Sequence, residues 1–206
     1  MSTTLVITAS PRAERSVSRS LTTRFAQLLA EHHPQDTILL RDIGHHPVPH
    51  VTEPWVVGAF APSDAQTPES KAAIAVSDQL VEEFLAADRY VFGVPMHNFN
   101  IPSTFKAYID QIVRAGKTFA VGPNGYEGLV KDKKALFITS SGGAYVPGTP
   151  MASYNFQESY LRVIFGFIGL TDLQFVAADN LNQGEDAARQ SREKAENALK
   201  ELAGTW

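Results

Sequence analysis

The chain contains no cysteine, which excludes a disulfide, a thiolate nucleophile, a Cys-x-x-Cys redox centre, an iron–sulfur ligand set and a Cys-based zinc site. Any electron-transfer chemistry therefore needs a bound cofactor. Charge of one sign is lacking too: 18 Lys and Arg against 22 Asp and Glu leave a net charge of −4, without the clustered basic face that nucleic acid or an anionic membrane requires. The longest apolar run, 163–170 with two internal glycines, falls far short of the roughly 20 residues of a membrane-spanning helix. The opening Met1-Ser2-Thr3-Thr4-Leu5-Val6-Ile7 has no basic stretch before its apolar residues and does not read as a signal peptide, so a cytoplasmic location is expected. Across 206 residues, 44% of them hydrophobic, one domain spanning 1–206 is expected, acting on small molecules, with no nucleic-acid or membrane partner.

Five short runs, 5–9, 37–40, 90–94, 135–139 and 173–177, are nearly continuously apolar and β-branched, the pattern of strands buried on both faces. Between them apolar residues recur at helical spacing: Val17, Leu21, Phe25 and Leu28; Ile74, Val81 and Leu85; Phe105, Ile109 and Ile112; Leu161, Ile164, Phe165 and Ile168; Ala188, Ala195, Leu199 and Leu202. Strands alternating with helices need right-handed crossovers that cover both faces of a parallel sheet. The expected fold class is α/β, a doubly wound five-stranded parallel sheet in the flavodoxin-like order 2-1-3-4-5, with ligands held at the carboxyl ends of the strands beside strand 1. A proline-rich stretch, 44–66, carries His45, His46, His50, Trp55 and Phe60 and reads as a long irregular loop, of a kind that is usually functional or interfacial.

The loop after the first strand, Ser10-Pro11-Arg12-Ala13-Glu14-Arg15, runs into a helix beginning near Ser16 to Ser18. It has neither the G-x-x-x-x-G-K-[ST] of an NTP-hydrolysing loop nor the G-x-G-x-x-G of a dinucleotide pyrophosphate site. Orphan amides, the positive end of the helix dipole and the hydroxyls of Ser10, Ser16 and Ser18 suit a single terminal phosphate. Serines that only cap the helix are the alternative, and this loop alone leaves both open. After strand 3, Pro95-Met96-His97-Asn98-Phe99-Asn100-Ile101-Pro102 holds a polar and aromatic turn between two prolines. Its amides and Asn98 can meet the polar edge of a flat heterocycle while Met96 and Phe99 lie against the rings; an ordinary packed turn is the alternative. Strand 4 ends in Ser140-Ser141-Gly142-Gly143-Ala144-Tyr145, where paired glycines either offer consecutive amides to a developing negative charge or simply make a tight turn.

Together these segments resemble the FMN-dependent NADH azoreductase and quinone reductase family of flavodoxin-like proteins. The likeness runs through the Ser10/Ser16-Val17-Ser18 loop, Pro95 to Asn100, Ala115-Gly116-Lys117-Thr118-Phe119, Asn124-Gly125-Tyr126-Glu127-Gly128-Leu129, Ser140-Ser141-Gly142-Gly143 and Phe165-Gly166-Phe167-Ile168-Gly169, nearly the full length of the chain. The resemblance implies non-covalent FMN, with its phosphate on Ser10, Ser16, Val17 and Ser18. It places the isoalloxazine against Pro95, Met96, His97, Asn98 and Phe99, and the pyrimidine edge against Ser140, Ser141, Gly142 and Gly143. Asn98, Gly142 and Gly143 would then tune the flavin, while His97, Tyr145 or water donates a proton to the acceptor.

By the same resemblance NADH is the electron donor, with NADPH the alternative, and the acceptors are quinones and aromatic azo compounds, the latter cleaved to amines in ping-pong two-electron transfer. A homodimer is implied, with Phe60, Phe119, Tyr126, Tyr145 and Phe165 walling an acceptor pocket. Three positions depart from the family: His97 where tyrosine is common, Tyr145 where histidine is common, and Val17 where a polar residue is common, which leaves Val17 only its backbone N–H for phosphate. The alternative is a flavodoxin-type electron carrier without NADH-oxidising activity of its own, but such carriers have a Thr/Gly-rich phosphate loop and a strongly acidic face, and this sequence has neither. Asp42, His45, His46 and His50 lack a clear ligand spacing, and no metal site is expected.

Overall fold

The β-branched, apolar segment Thr3–Thr8 forms β1, with Leu5 and Ile7 turned to one side of the sheet and Val6 to the other, as the two-residue period of a strand requires. In the computed structural model, which describes residues 1–206 apart from Ser63, Asp64 and Asn124, the chain continues through α1 (Val17–His32), β2 (Thr37–Asp42), α2 (Glu53–Phe60), α3 (Pro68–Ala86), β3 (Arg89–Pro95), α4 (Ser103–Ile112), β4 (Phe119–Gly122), β5 (Gly125–Gly128), β6 (Lys134–Ser140), α5 (Phe156–Phe167), β7 (Asp172–Ala178) and α6 (Glu185–Ala203). Asn124 of the Asn-Gly-Tyr-Glu-Gly-Leu motif, and two residues of the 44–66 stretch, lie outside the described residues.

Five strands lie side by side in the order β2-β1-β3-β6-β7, every pairing parallel. This matches the expected 2-1-3-4-5, because β4 and β5 pair only with each other as an antiparallel hairpin. The central strands alternate between two cores. Leu5, Ile7, Tyr90, Phe92, Ala135 and Phe137 face Leu80, Phe84, Phe105, Tyr108, Leu161 and Phe165 of α3, α4 and α5. Val6, Val91, Leu136 and Ile138 face Leu21, Phe25 and Leu199 of α1 and α6, with Trp206. The first core is strongly aromatic: Phe92 stacks on Phe137 at 4.9 Å and Phe137 on Phe175 at 4.8 Å, pairs worth about 0.5–1.5 kcal/mol each beyond the area they bury.

Two expectations are corrected. Burial on both faces holds for β1, β3 and β6 but not at the sheet's edges, where Leu40 of β2 is 75% exposed and β7 is mostly half-buried; an edge strand has a neighbour on one side only, and the covering helices reach less of it. The 44–66 stretch is not wholly irregular either. Thr52 in extended conformation, Glu53 in the first turn and Pro54 near the start are helix-opening features. Trp55 then anchors α2 by donating its indole N–H to Gln111 Oε1 at 2.7 Å. Among the described residues no helix is long and apolar enough to cross a membrane.

One glycine brings the loop after β1 against the end of β2: a Cβ on Gly44 would overlap the backbone carbonyl of Ser10. Gly44→Ala is therefore expected to lower the unfolding free energy by about 1–3 kcal/mol, as overpacking does, in urea denaturation. Gly204→Ala, where a Cβ meets nothing within 4 Å, should stay within about 0.5 kcal/mol of the parent. Equal effects from the two would show that the close approach is dispensable.

Candidate functional site

Helix α1 opens at Val17 with Ser16 as its N-cap, in extended conformation and accepting the Arg19 N–H on its hydroxyl at 3.3 Å. Capping thus occupies one serine of the three. Ser10, Ser16 and Ser18 are all buried; the Ser16 and Ser18 hydroxyls stand 3.4 Å apart, and Ser10 Oγ accepts the Arg12 N–H at 3.2 Å. Among the described residues the N–H groups of Val17 and Ser18 make no hydrogen bond, since the first amides of a helix have no partner within it. Hydroxyls and free amides at the positive end of α1 are donors of the kind that could hold a phosphate monoester.

Sequence reading passed over the side chain that holds this loop. Arg19 Nη1 donates to Thr8 Oγ1 at 3.1 Å and to Asp42 Oδ2 at 2.7 Å, while Nη2 donates to Asp42 Oδ1 at 2.9 Å and to the Ser10 carbonyl at 2.6 Å. Its Nε reaches the Arg12 carbonyl at 3.2 Å. Asp42, at the end of β2, also accepts the N–H groups of Gly44 and His45 at 3.1 and 3.2 Å and faces His45 Nδ1 at 2.9 Å. Partial burial opposes its ionisation, but the hydrogen bonds from Arg19 and the His45 N–H, with the charges of both neighbours, outweigh burial and hold the carboxyl well below the usual carboxylate range. The parallel register Thr8↔Asp42, which exists only in the folded sheet, sets the carboxylate beside the loop into which Arg19 turns.

After Pro95, which closes β3 opposite Ser140, the Met96 N–H donates to the Ser140 carbonyl at 2.7 Å. His97 and Asn100 then exchange both backbone hydrogen bonds, at 2.8 and 3.0 Å, around Asn98 and Phe99. These two carry φ values of 48° and 68°, the left-handed pair of a type I′ turn, whose second position usually belongs to glycine. A phenylalanine there costs on the order of 1 kcal/mol of backbone strain, a kind of strain that collects at ligand sites. The Phe99 ring lies 5.8 Å from Tyr145 and 5.2 Å from Tyr154. Tyr154 carried no signal in the sequence, because its place beside Phe99 follows from how the segment before α5 folds back.

At the end of β6, Ser140 is buried, and Ser141 donates its N–H to the Ala178 carbonyl at 3.0 Å and its hydroxyl to the Gly143 carbonyl at 2.8 Å. The N–H groups of Gly142 and Gly143 make no hydrogen bond among the described residues. Neither glycine has positive φ. At Gly142 the Asn182 side chain packs close, so that a Cβ would come within 2.5 Å of its Nδ2 and the amide would have to shift, and the Asn182 N–H holds the Gly142 carbonyl at 2.9 Å. At Gly143 a Cβ would stand 3.4 Å from the Tyr145 hydroxyl.

Parallel pairing sets Thr8 opposite Gly93 and Pro95 opposite Ser140, so the three loops meet at one edge of the sheet. The five pocket candidates do not all join them. Phe165, only 1% exposed, belongs to the aromatic core beneath β3 and β6; this corrects its expected place in a pocket wall, since its helical spacing turned it toward the sheet. Phe119 and Tyr126 pack with Phe167 on the hairpin, at 4.8 and 5.4 Å, and Phe60 stands 71% exposed at the end of α2. Tyr145 alone of the five forms an aromatic pair with Phe99.

The flavodoxin-like fold family matches residues 2–203 of the chain. A protein of Trichormus variabilis named FMN-dependent NADH:quinone oxidoreductase 2 is 58% identical over 207 residues, covering all of both chains. The crystal structure of an azoreductase from Bacillus anthracis superposes with a TM-score of 0.93 at 33% identity over 100% of each chain. A second, an FMN-dependent NADH-azoreductase from Bacillus anthracis in complex with FMN, gives 0.87 at 28% identity over 98% of this chain and 100% of its own.

Two outcomes follow from the geometry. Because the folded Asp42 carboxyl titrates below its unfolded value of about 3.9, its contribution to stability is present above that pH and lost as pH falls through the folded value. Asp42→Asn should therefore cost about 1–2 kcal/mol at pH 6 in denaturant titrations, with the gap to the parent closing below about pH 4; a gap independent of pH would contradict this. At position 99, Phe99→Gly should be more stable than Phe99→Ala by about 1 kcal/mol, the reverse of the usual order, when thermal midpoints are compared.

Proposed function

The chain belongs to the flavodoxin-like family of FMN-dependent NADH:quinone oxidoreductases and azoreductases, and we propose that it passes electrons from NADH through non-covalent FMN to quinones and cleaves aromatic azo compounds to amines by the same route. The observation that carries this is the meeting, at one sheet edge, of a buried serine cluster with free helix amides, a strained Asn98–Phe99 turn and the free amides of Gly142 and Gly143. By their chemistry these donors suit the two polar ends of an FMN molecule, its phosphate and its pyrimidine edge.

FMN, when bound, supplies the two-electron chemistry. Ser10, Ser16 and Ser18, with the amides of Val17 and Ser18, hold the terminal phosphate. The Asn98–Phe99 turn and Met96 orient the ring system, and the amides of Gly142 and Gly143 stabilise negative charge at its polar edge without reorganising. Phe99, Tyr145 and Tyr154 offer an apolar wall to a flat aromatic acceptor and exclude water from it. His97, Tyr145 or water delivers the proton to the acceptor. Donor and acceptor use one face in turn, so the kinetics are ping-pong. The enzyme works as a cytoplasmic homodimer of one-domain chains spanning 1–206: Phe60 and Tyr126, each 71% exposed, and Phe119 gain cover against a second copy, where they complete the acceptor pocket.

The deciding measurement is an anaerobic titration of the FMN-loaded protein with NADH at the flavin absorption band, followed by a benzoquinone. Bleaching by stoichiometric NADH and recovery on adding quinone are expected, with parallel double-reciprocal plots in steady state. Flavin that NADH leaves oxidised would make the protein an electron carrier; intersecting plots would remove the ping-pong order, and full activity in a sedimenting monomer would remove the dimer.

A further inference from the structure

The hydrogen bonds of the Arg19 guanidinium all go to groups of the protein itself. It bonds the Ser10 and Arg12 carbonyls on the loop, the Thr8 hydroxyl on β1 and both carboxylate oxygens of Asp42 on β2. Asp42 in turn holds the amides of Gly44 and His45, and Gly44 is the residue whose backbone lies against the Ser10 carbonyl. A planar fork with donors on two edges can bridge a carboxylate and two carbonyls at once, which an ammonium cannot do. The geometry assigns Arg19 and Asp42 as a positioning pair for phosphate recognition: they set the donors of the 10–18 loop and touch no phosphate themselves.

The physical reason lies in the peptide units. Two carbonyls of the loop, those of Ser10 and Arg12, are drawn toward Arg19. A carbonyl oxygen turned toward a bound phosphate would repel it, so tying these oxygens to Arg19 keeps the loop's acceptors away from the anion. In a trans peptide the N–H points opposite to the carbonyl, and the Ala13 amide is therefore aimed away from the guanidinium. The pair also holds the entry to α1, where Ser16 caps the helix and the Val17 and Ser18 amides stand free.

The inference rests on the FMN reading above and makes a prediction of sign that simple electrostatics does not share. If the pair acted only through its charge, Asp42→Asn would remove a negative group from the neighbourhood of the phosphate and tighten FMN binding, and Arg19→Lys would leave it unchanged. As a positioning pair, Asp42→Asn and Arg19→Lys both weaken it.

The test is equilibrium binding of FMN and of riboflavin, which lacks the phosphate, to apoprotein, followed by quenching of flavin fluorescence. Arg19→Lys, Arg19→Met and Asp42→Asn are each expected to raise the FMN Kd tenfold or more while changing the riboflavin Kd less than twofold. Equal losses for both ligands would reduce the pair to general stability and overturn the assignment, as would tighter FMN binding by Asp42→Asn or parental binding by Arg19→Lys. Val17→Pro tests the underlying reading separately, because proline is tolerated at the first helical position and removes the amide there. A selective FMN loss in Val17→Pro without one in the Arg19 variants rejects the positioning pair and leaves the phosphate site standing. No selective loss in Val17→Pro or in Ser18→Ala rejects both.

Discussion

Parallel pairing is the constraint from which the site follows. When neighbouring strands all run the same way, their carboxyl ends fall on one edge, and every loop that leaves that edge starts within one strand spacing of the next. β1, β3 and β6 pair in unbroken register, so loops separated by scores of residues in the chain emerge side by side. The crossover helices that make parallel pairing possible also fill both faces, with an aromatic-rich core on one and the α1 and α6 layer on the other. Each strand end is thereby held from three sides before any ligand is considered, and the loops inherit that rigidity.

Polar order is added to this frame locally. Arg19 and Asp42 tie the end of β2 to the loop after β1, while Gln157, at the start of α5, donates its side-chain amide to the Val94 carbonyl at 3.2 Å. Asn182 does comparable work from the loop before α6, against Gly142. The strained turn at Asn98 and Phe99 is affordable because such neighbours over-determine its position. The amides of Val17, Ser18, Gly142 and Gly143 at this edge are left without a partner among the described residues, held in place by the elements around them.

Much of this was legible from residue patterns. The five apolar runs and their helical intervals placed every strand of the main sheet, and the sheet order came with them. Ser10, Ser16 and Ser18 were visible because serine before a helical period is a start signal whichever role it plays. The 44–66 stretch was misjudged because proline content was weighed as loop character, when Pro54 stands near the start of a helix, where proline is favoured. Phe165 was misplaced for a different reason: an aromatic at helical spacing faces the core whenever its helix packs on a sheet, and motif likeness carries no information on which face that is. The hairpin of β4 and β5 stayed hidden since its strands are four residues each, too short for a periodic signal.

By itself the sequence determined the order of the main-sheet strands, the absence of cysteine chemistry and the identity of the loops at the strand ends, because these depend on local periodicity and on residue type. It could not say that Arg19 bonds Asp42 and two carbonyls, that Asn182 packs against Gly142, or that Tyr154 joins Tyr145 and Phe99. Those facts depend on side chains that meet only after crossovers bring distant segments together. Tertiary structure decided them because a hydrogen bond or a van der Waals overlap is a matter of a few tenths of an ångström, a precision that residue spacing along one chain does not carry across the gap between two loops.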